Sequence, residues 1–201
     1  MNTTRKPLVV VSGLPGSGKT TVARALGPLM NLPVFDKDEI LEGLFERNGL
    51  GDAAWRRQLS RESDAMLQAH VVASHGAVIS SFWHVAGMPP DSGTPTEWLA
   101  AISRTIVNVR CECPPQLAAD RFVRRVRHPG HLDSLRTTAD VLASIEALVP
   151  FGSLTLGELV VVDTTRPVDM ATVLGDVAAG LRRCLTGLQP QAGGPILTRR
   201  G

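Results

Sequence analysis

The chain has 201 residues, 43% of them hydrophobic, and a formal net charge of +2. This is enough apolar sequence for one domain with a real core, and so small a charge argues against a nucleic-acid coat or a membrane-surface protein. Aromatics are only 4% with no tyrosine, so there is no stacking platform for single strands; three cysteines, an odd number, do not make a disulfide framework; and no apolar run reaches transmembrane length.

Met1 to Lys6 is polar, lacks a signal-peptide core and is expected to fray. Leu8 to Ser12 is continuously apolar, as a parallel strand covered on both faces should be. It runs into Gly13-Leu14-Pro15-Gly16-Ser17-Gly18-Lys19-Thr20-Thr21, a G-x-x-x-x-G-K-[ST] phosphate loop between a strand and a helix. Its glycines let successive backbone N–H groups turn toward phosphate oxygens, and the following helix adds its positive dipole end. Lys19 suits the β- and γ-phosphates of ATP, and the Thr20 hydroxyl suits Mg²⁺. The helix is expected over Lys19 to Met30, with Pro28 near its end.

Leu32 to Phe35 reads as a second strand that delivers Asp36 and Asp38 at its carboxyl end, where open α/β sheets bind ligands. One carboxylate can accept a proton from an attacking hydroxyl while the other holds a metal-bound water. Either can also cap the helix that begins near Glu39. That helical pattern breaks at Gly49 to Asp52, and a second helix spans Ala53 to Ser74, with Leu59, Met66, Leu67 and Val71 inward. Its arginines, Arg57 and Arg61 among them, read from sequence as a solvated basic face.

Ala77 to Phe82 is the third strand, and Trp83-His84 at its end are placed for substrate contact, although His84 is equally a polar loop residue. Thr94-Pro95-Thr96-Glu97 spells a capping box with proline at the first helical position, which starts a helix to about Arg104. Thr105 to Cys111 is the fourth strand; Cys111 and Cys113 have no second ligand pair and do not form a zinc motif. Gln116 to Arg127 is expected to be helical, with Arg121, Arg124, Arg125 and Arg127, not all of which can face one site. His128 to His131 reads as a turn, Thr137 to Leu148 as a helix, and Leu159 to Val162 as a fifth buried strand. Asp163-Thr164-Thr165-Arg166-Pro167 follows, then a last helix over about 170–185 and a loose tail over 186–201.

The phosphate loop, Phe35 to Asp38, the arginines from Arg121 to Arg127 and the strand ending at Thr165 carry a resemblance that spans about residues 7–180. The chain resembles the P-loop kinases that include shikimate kinase, gluconate kinase, chloramphenicol phosphotransferase and polynucleotide 5′-hydroxyl kinase, within the AAA_33-like ATP-binding kinases. The resemblance implies a three-layer P-loop NTPase α/β fold over 1–185, with a five-stranded parallel sheet of order 2-3-1-4-5 and a helical lid over about 121–137. It implies Asp38 as the base beside the acceptor hydroxyl and Asp36 as the residue nearer Mg²⁺. Arg57 and Arg61 would fall in the acceptor region, and Arg121, either Arg124 or Arg125, and Arg127 would close over the phosphates, Arg124 and Arg127 foremost. Thr165, Arg166 and Pro167 would lie beside the adenine. One departure stands out: Ser80 and Ser81 occupy the place where many relatives carry a metal-shell aspartate.

The expected activity is ATP-dependent phosphorylation of a hydroxyl on a small molecule, a metabolite or an antibiotic, in the cytoplasm. Two other readings are a polynucleotide 5′-hydroxyl kinase and a nucleotide-binding regulatory module without transfer chemistry. Nothing in the sequence assigns an oligomeric state or the acceptor.

Overall fold

The computed structural model describes residues 4–133 and 136–186. Five parallel strands, β1 (Thr4–Gly13), β2 (Val34–Asp36), β3 (Ala77–Ser80), β4 (Ser103–Glu112) and β5 (Glu158–Asp163), form one sheet in the order β2-β3-β1-β4-β5. This is the expected order. The helices are α1 (Lys19–Met30), α2 (Lys37–Asn48), α3 (Ala53–Ala73), α4 (Glu97–Ile102), α5 (Pro115–Arg124), α6 (Thr138–Glu146) and α7 (Met170–Thr186).

The unbroken apolar run of β1 is explained by its place at the centre of the sheet. Side chains alternate across a strand, so Val9 and Val11 pack under α1 and α7 with Val22, Leu26, Val107 and Val177. Leu8 and Val10 pack on the other face with Leu67 and Val71 of α3, Leu99 of α4 and Ile106. Two satellite clusters build the parts that move away from the sheet. Leu41, Leu44, Phe45 and Leu59 join α2 to α3, and Ala118, Ala119, Phe122, Val141 and Ile145 join α5 to α6.

Three expectations are corrected. Thr94 caps no helix: it bridges Trp83, and its hydroxyl lies 2.6 Å from that of Ser81. The helix begins two residues later, with Thr96 at its cap position and Glu97 accepting from the Thr96 N–H, and it ends at Ile102, so that Ser103 and Arg104 belong to β4. The fifth strand is not buried on both faces, because it is the sheet's edge and Leu159 and Val161 remain 48% and 49% exposed. The arginine-bearing helix stops at Arg124, and the backbone at Arg125 is extended. Of the expected tail over 186–201, Thr186 ends α7; residues 187–201, the first three residues and Ser134 and Leu135 of the expected lid lie outside the described residues.

Candidate active site

The phosphate loop lies at the carboxyl end of β1, between α1 and α5. Gly13 and Gly16 have φ of 137° and 80°, where a side chain is strained. They also lack room for one: a Cβ on Gly13 would stand 2.4 Å from the Cys111 carbonyl oxygen, and one on Gly16 2.1 Å from that of Ala118. Thr164, just past β5, fastens the loop from the other side, its hydroxyl donating to the Ser17 carbonyl at 2.8 Å. No local motif marks Thr164 for this task; only the sheet order brings it here.

The Ser17 hydroxyl is buried and has no hydrogen-bond partner among the described residues, an open polar position in a loop shaped for an anion. Lys19 donates from Nζ to the Leu14 carbonyl at 2.8 Å. Burial lowers its pKa to about 8 against the opposing pull of Cys111, Asp38 and Asp36. A half-buried ammonium whose burial outweighs the pull of these neighbours is a fitting partner for a polyphosphate. Pro15 is half-buried in the loop, and Thr21 is exposed at its rim.

Asp36 ends β2, is 4% exposed and divides its carboxylate between two tasks. Oδ1 accepts from the Asp38 N–H at 2.9 Å, capping α2, and Oδ2 accepts from the Thr20 hydroxyl at 2.8 Å. Capping and site-building therefore coexist. Burial pushes the Asp36 carboxyl up, partly offset by the Thr20 hydrogen bond. Two adjacent hard oxygens beside the phosphate loop fit Mg²⁺, which takes one or two protein oxygens and fills its octahedron with waters and phosphate. Ser80 is the register neighbour of both Asp36 and Val11 and adds no carboxylate there.

Asp38 faces the same cavity, of about 440 Å³, as Lys19, Thr20, Asp36, Arg121, Arg125 and Arg127. Its Oδ2 accepts from Arg127 Nη2 at 2.7 Å, with Arg125 at 3.8 Å. Burial raises the Asp38 carboxyl, but Arg127, His131, Arg125 and Lys19 outweigh it and hold the group below the usual carboxylate value. Arg127 also pairs with Asp133. Arg121 donates to the Thr164 carbonyl at 2.8 Å, at the edge of the site. Arg124 is exposed and lines neither this cavity nor the larger one described next. Because the helix ends at Arg124, Arg125 and Arg127 stand two apart on extended chain and share a side, while Val126 between them is 97% exposed.

A second, larger cavity of about 1160 Å³ begins at Gly13 and Leu14 and is lined by Trp83, Met88, Leu154, Val161, Thr165 and Arg166, among others. Trp83 is 3% exposed and ties its indole N–H to the Val11 carbonyl at 2.9 Å, so it is a core residue with one edge on the cavity. His84 is tied into its own loop through Nδ1 and the Ser92 carbonyl at 2.7 Å. Arg57 and Arg61 are exposed and line neither cavity, and Pro167 is exposed. Sequence reasoning passed over Glu42 and His131, which meet beside Arg127. The one available signal was that Glu42 sits a helical turn beyond Asp38.

The family model AAA_33, an AAA domain, matches residues 8–148. The chain belongs to this family. It is similar to the shikimate kinase of Corynebacterium glutamicum, 35% identical over 78 residues, covering 36% of this chain and 43% of that protein. It is also similar to the shikimate kinase of Paracidovorax citrulli, 38% identical over 80 residues, covering 33% and 42%. The chain thus spans less than half the length of the curated relatives it matches. Among solved structures, a candidate kinase from Chloroflexus aurantiacus is similar with a TM-score of 0.71 and 27% identity, over 88% of this chain and 99% of that one. Acinetobacter baumannii shikimate kinase in complex with shikimate shares the fold, with a TM-score of 0.54 at 16% identity, over 92% and 96%. In sequence and fold, this AAA_33 chain groups with the P-loop small-molecule kinases.

Proposed function

We propose that the chain transfers the γ-phosphoryl group of ATP to a hydroxyl of a small molecule, with Asp38 as the base. The observation that carries this reading is the convergence of Asp38, Lys19, Thr20, Asp36 and Arg127 on one cavity at the end of the phosphate loop. The arrangement suits a loose phosphoryl transition state, in which positioned charge does most of the work.

Each residue has a task. The loop N–H groups and Lys19 hold the phosphates, and the unpaired Ser17 hydroxyl is free to join them. Thr20 and Asp36 are the residues that would hold Mg²⁺, which when bound neutralises charge on the β- and γ-oxygens. Asp38 orients the acceptor hydroxyl and takes its proton as the new O–P bond forms and the bond from γ-phosphorus to the bridging oxygen breaks, releasing ADP. Arg127 keeps hold of Asp38 through Oδ2 while the other carboxylate oxygen takes the hydroxyl, and with Arg125 it sets positive charge beside the transferring group. The larger cavity takes the body of the acceptor against Trp83 and the nucleotide base against Thr165 and Arg166, and Arg121 lines the smaller cavity with Asp38.

The test is ADP release measured against a panel of hydroxylated metabolites and antibiotics, with a 5′-hydroxyl oligonucleotide beside them. Strong stimulation by a small molecule is expected. ATP binding without acceptor-stimulated turnover would contradict the proposal, and stimulation by the oligonucleotide alone would replace the acceptor class.

A further inference from the structure

Glu42, His131 and Arg127 form a chain of hydrogen bonds that ends on Asp38. His131 Nε2 lies 2.9 Å from Glu42 Oε1, and His131 Nδ1 lies 3.1 Å from Arg127 Nη2, the same nitrogen that reaches Asp38. A guanidinium can only donate and a carboxylate can only accept. Nδ1 must therefore accept from Arg127, and Nε2 must carry the proton donated to Glu42. The two neighbours leave one neutral tautomer.

The ring is built into its place. Its side chain is fully buried, and it stands edge-on to Phe45 with centroids 5.7 Å apart, while His128 stacks on the same phenyl ring at 5.3 Å. Gly130 passes so close to Phe45 that a Cβ there would come within 2.4 Å of the ring. The segment carrying Arg127 is thus docked on α2 by packing as well as by charge.

We propose that His131 and Glu42 are positioning residues, which fix the angle of the Arg127 guanidinium over Asp38 through the Nε2–H tautomer of the imidazole. The effect on turnover rests on the kinase reading; the tautomer and the fixed guanidinium do not. The charged groups around the ring are Glu42 and Asp38 from α2 and Arg127 from its own segment. Asp133, Arg125 and Arg136 stand one contact further out, around Arg127 and the Phe122 ring beneath it, and His128 lies across Phe45. Burial and Arg127 lower the imidazole pKa, against the pull of Asp38 and Glu42. Protonation at Nδ1 would remove the acceptor and set a cation against the guanidinium, so Arg127 loses its fixed angle as pH falls through that depressed value.

The test compares the intact wild-type chain with His131→Gln and His131→Asn by ¹⁵N NMR and by turnover. Glutamine carries its amide out to the Nε2 position, keeping a donor for Glu42 but leaving no acceptor at the Nδ1 position, whereas asparagine places an amide oxygen near the Nδ1 position. The wild-type imidazole is expected to show the Nε2–H tautomer near neutral pH and to titrate below its usual value. The Arg127 Nη resonances are expected to be restrained in the wild type and the Asn variant and averaged in the Gln variant. Turnover is expected to fall about tenfold in the Gln variant, the size of one lost hydrogen bond to a charged group. It should recover largely in the Asn variant, with the KM for ATP little changed. An Nδ1–H tautomer in the wild type, or an Arg127 equally restrained in both variants, would overturn the inference. A wild type without turnover sinks the kinase reading, and the spectra then decide this one alone.

Discussion

Arg127 Nη2 and Asp38 Oδ2 lie 2.7 Å apart although 89 residues separate them in sequence. The ion pair joins the carboxylate one residue into α2 to an arginine just beyond α5, and it closes the cavity that the phosphate loop opens. Arg127 is 13% exposed and Asp38 46%, so the carboxylate is the more accessible partner of the pair. Replacing Arg127 by alanine is expected to lower turnover by about a hundredfold, as for loss of one positioned transition-state donor. Lysine should rescue poorly, because one ammonium cannot match a fork that reaches Asp38, Asp133 and His131 together. Initial rates at saturating ATP check both.

Lys19 sets a pH dependence. Its folded pKa of about 8 lies below its usual value of 10.5, so between those values the unfolded chain binds more protons and stability rises with pH. Below about pH 8 the full cost of burying the charge is present, and by about 10.5 it is gone. Lys19→Met should therefore withstand more urea than the wild type at neutral pH, with the gap closing in alkali. Cys111, whose thiol is pushed up to about 12 by burial, works in the opposite sense from about pH 9 upward. Lys19 itself offsets part of that rise, so the two proteins are compared below about pH 9, where the thiol is protonated in both and the difference isolates Lys19. ATP affinity should collapse in the same variant.

Two glycines should respond in opposite ways. Gly16→Ala would drive a methyl into the Ala118 carbonyl from a left-handed backbone. It should cost about 1–3 kcal/mol and abolish nucleotide binding. Gly43 sits inside α2, and among the described residues nothing lies within 4 Å of its missing Cβ. Gly43→Ala should stabilise the chain by about 0.5–1 kcal/mol with binding intact. Thermal unfolding with and without ATP reads both.

Asp36→Asn keeps an oxygen for the α2 cap but weakens the hard-oxygen pair with Thr20. The Mg²⁺ concentration for half-maximal turnover is expected to rise about tenfold or more, with a small change in melting temperature. An unchanged Mg²⁺ requirement would remove Asp36 from the metal shell.

Features that depend on a few consecutive residues were legible in the sequence. The phosphate loop, α1 and the Asp36–Asp38 pair each declare themselves within a short window, and the sheet order followed from the resemblance they carry. What failed was decided by tertiary surroundings. Thr94 has a capping signature, yet Trp83 and Ser81 claim it first. Leu159 to Val162 is as apolar as β1, but only position in the sheet makes one strand central and the other an edge with Leu159 and Val161 exposed. The choice between Arg124 and Arg125 turned on where α5 stops, because helix and extended chain send neighbouring residues in different directions. Glu42 and His131 are 89 residues apart, and no periodicity connects them.

The most direct measurement is γ-phosphoryl transfer from labelled ATP to the acceptor that best stimulates ADP release, with wild type and Asp38→Asn side by side. The account predicts label on the acceptor hydroxyl in the wild type and a loss of about a hundredfold or more in the variant, with ATP still bound. Label transferred at the wild-type rate by Asp38→Asn, or none transferred by the wild type, would contradict it.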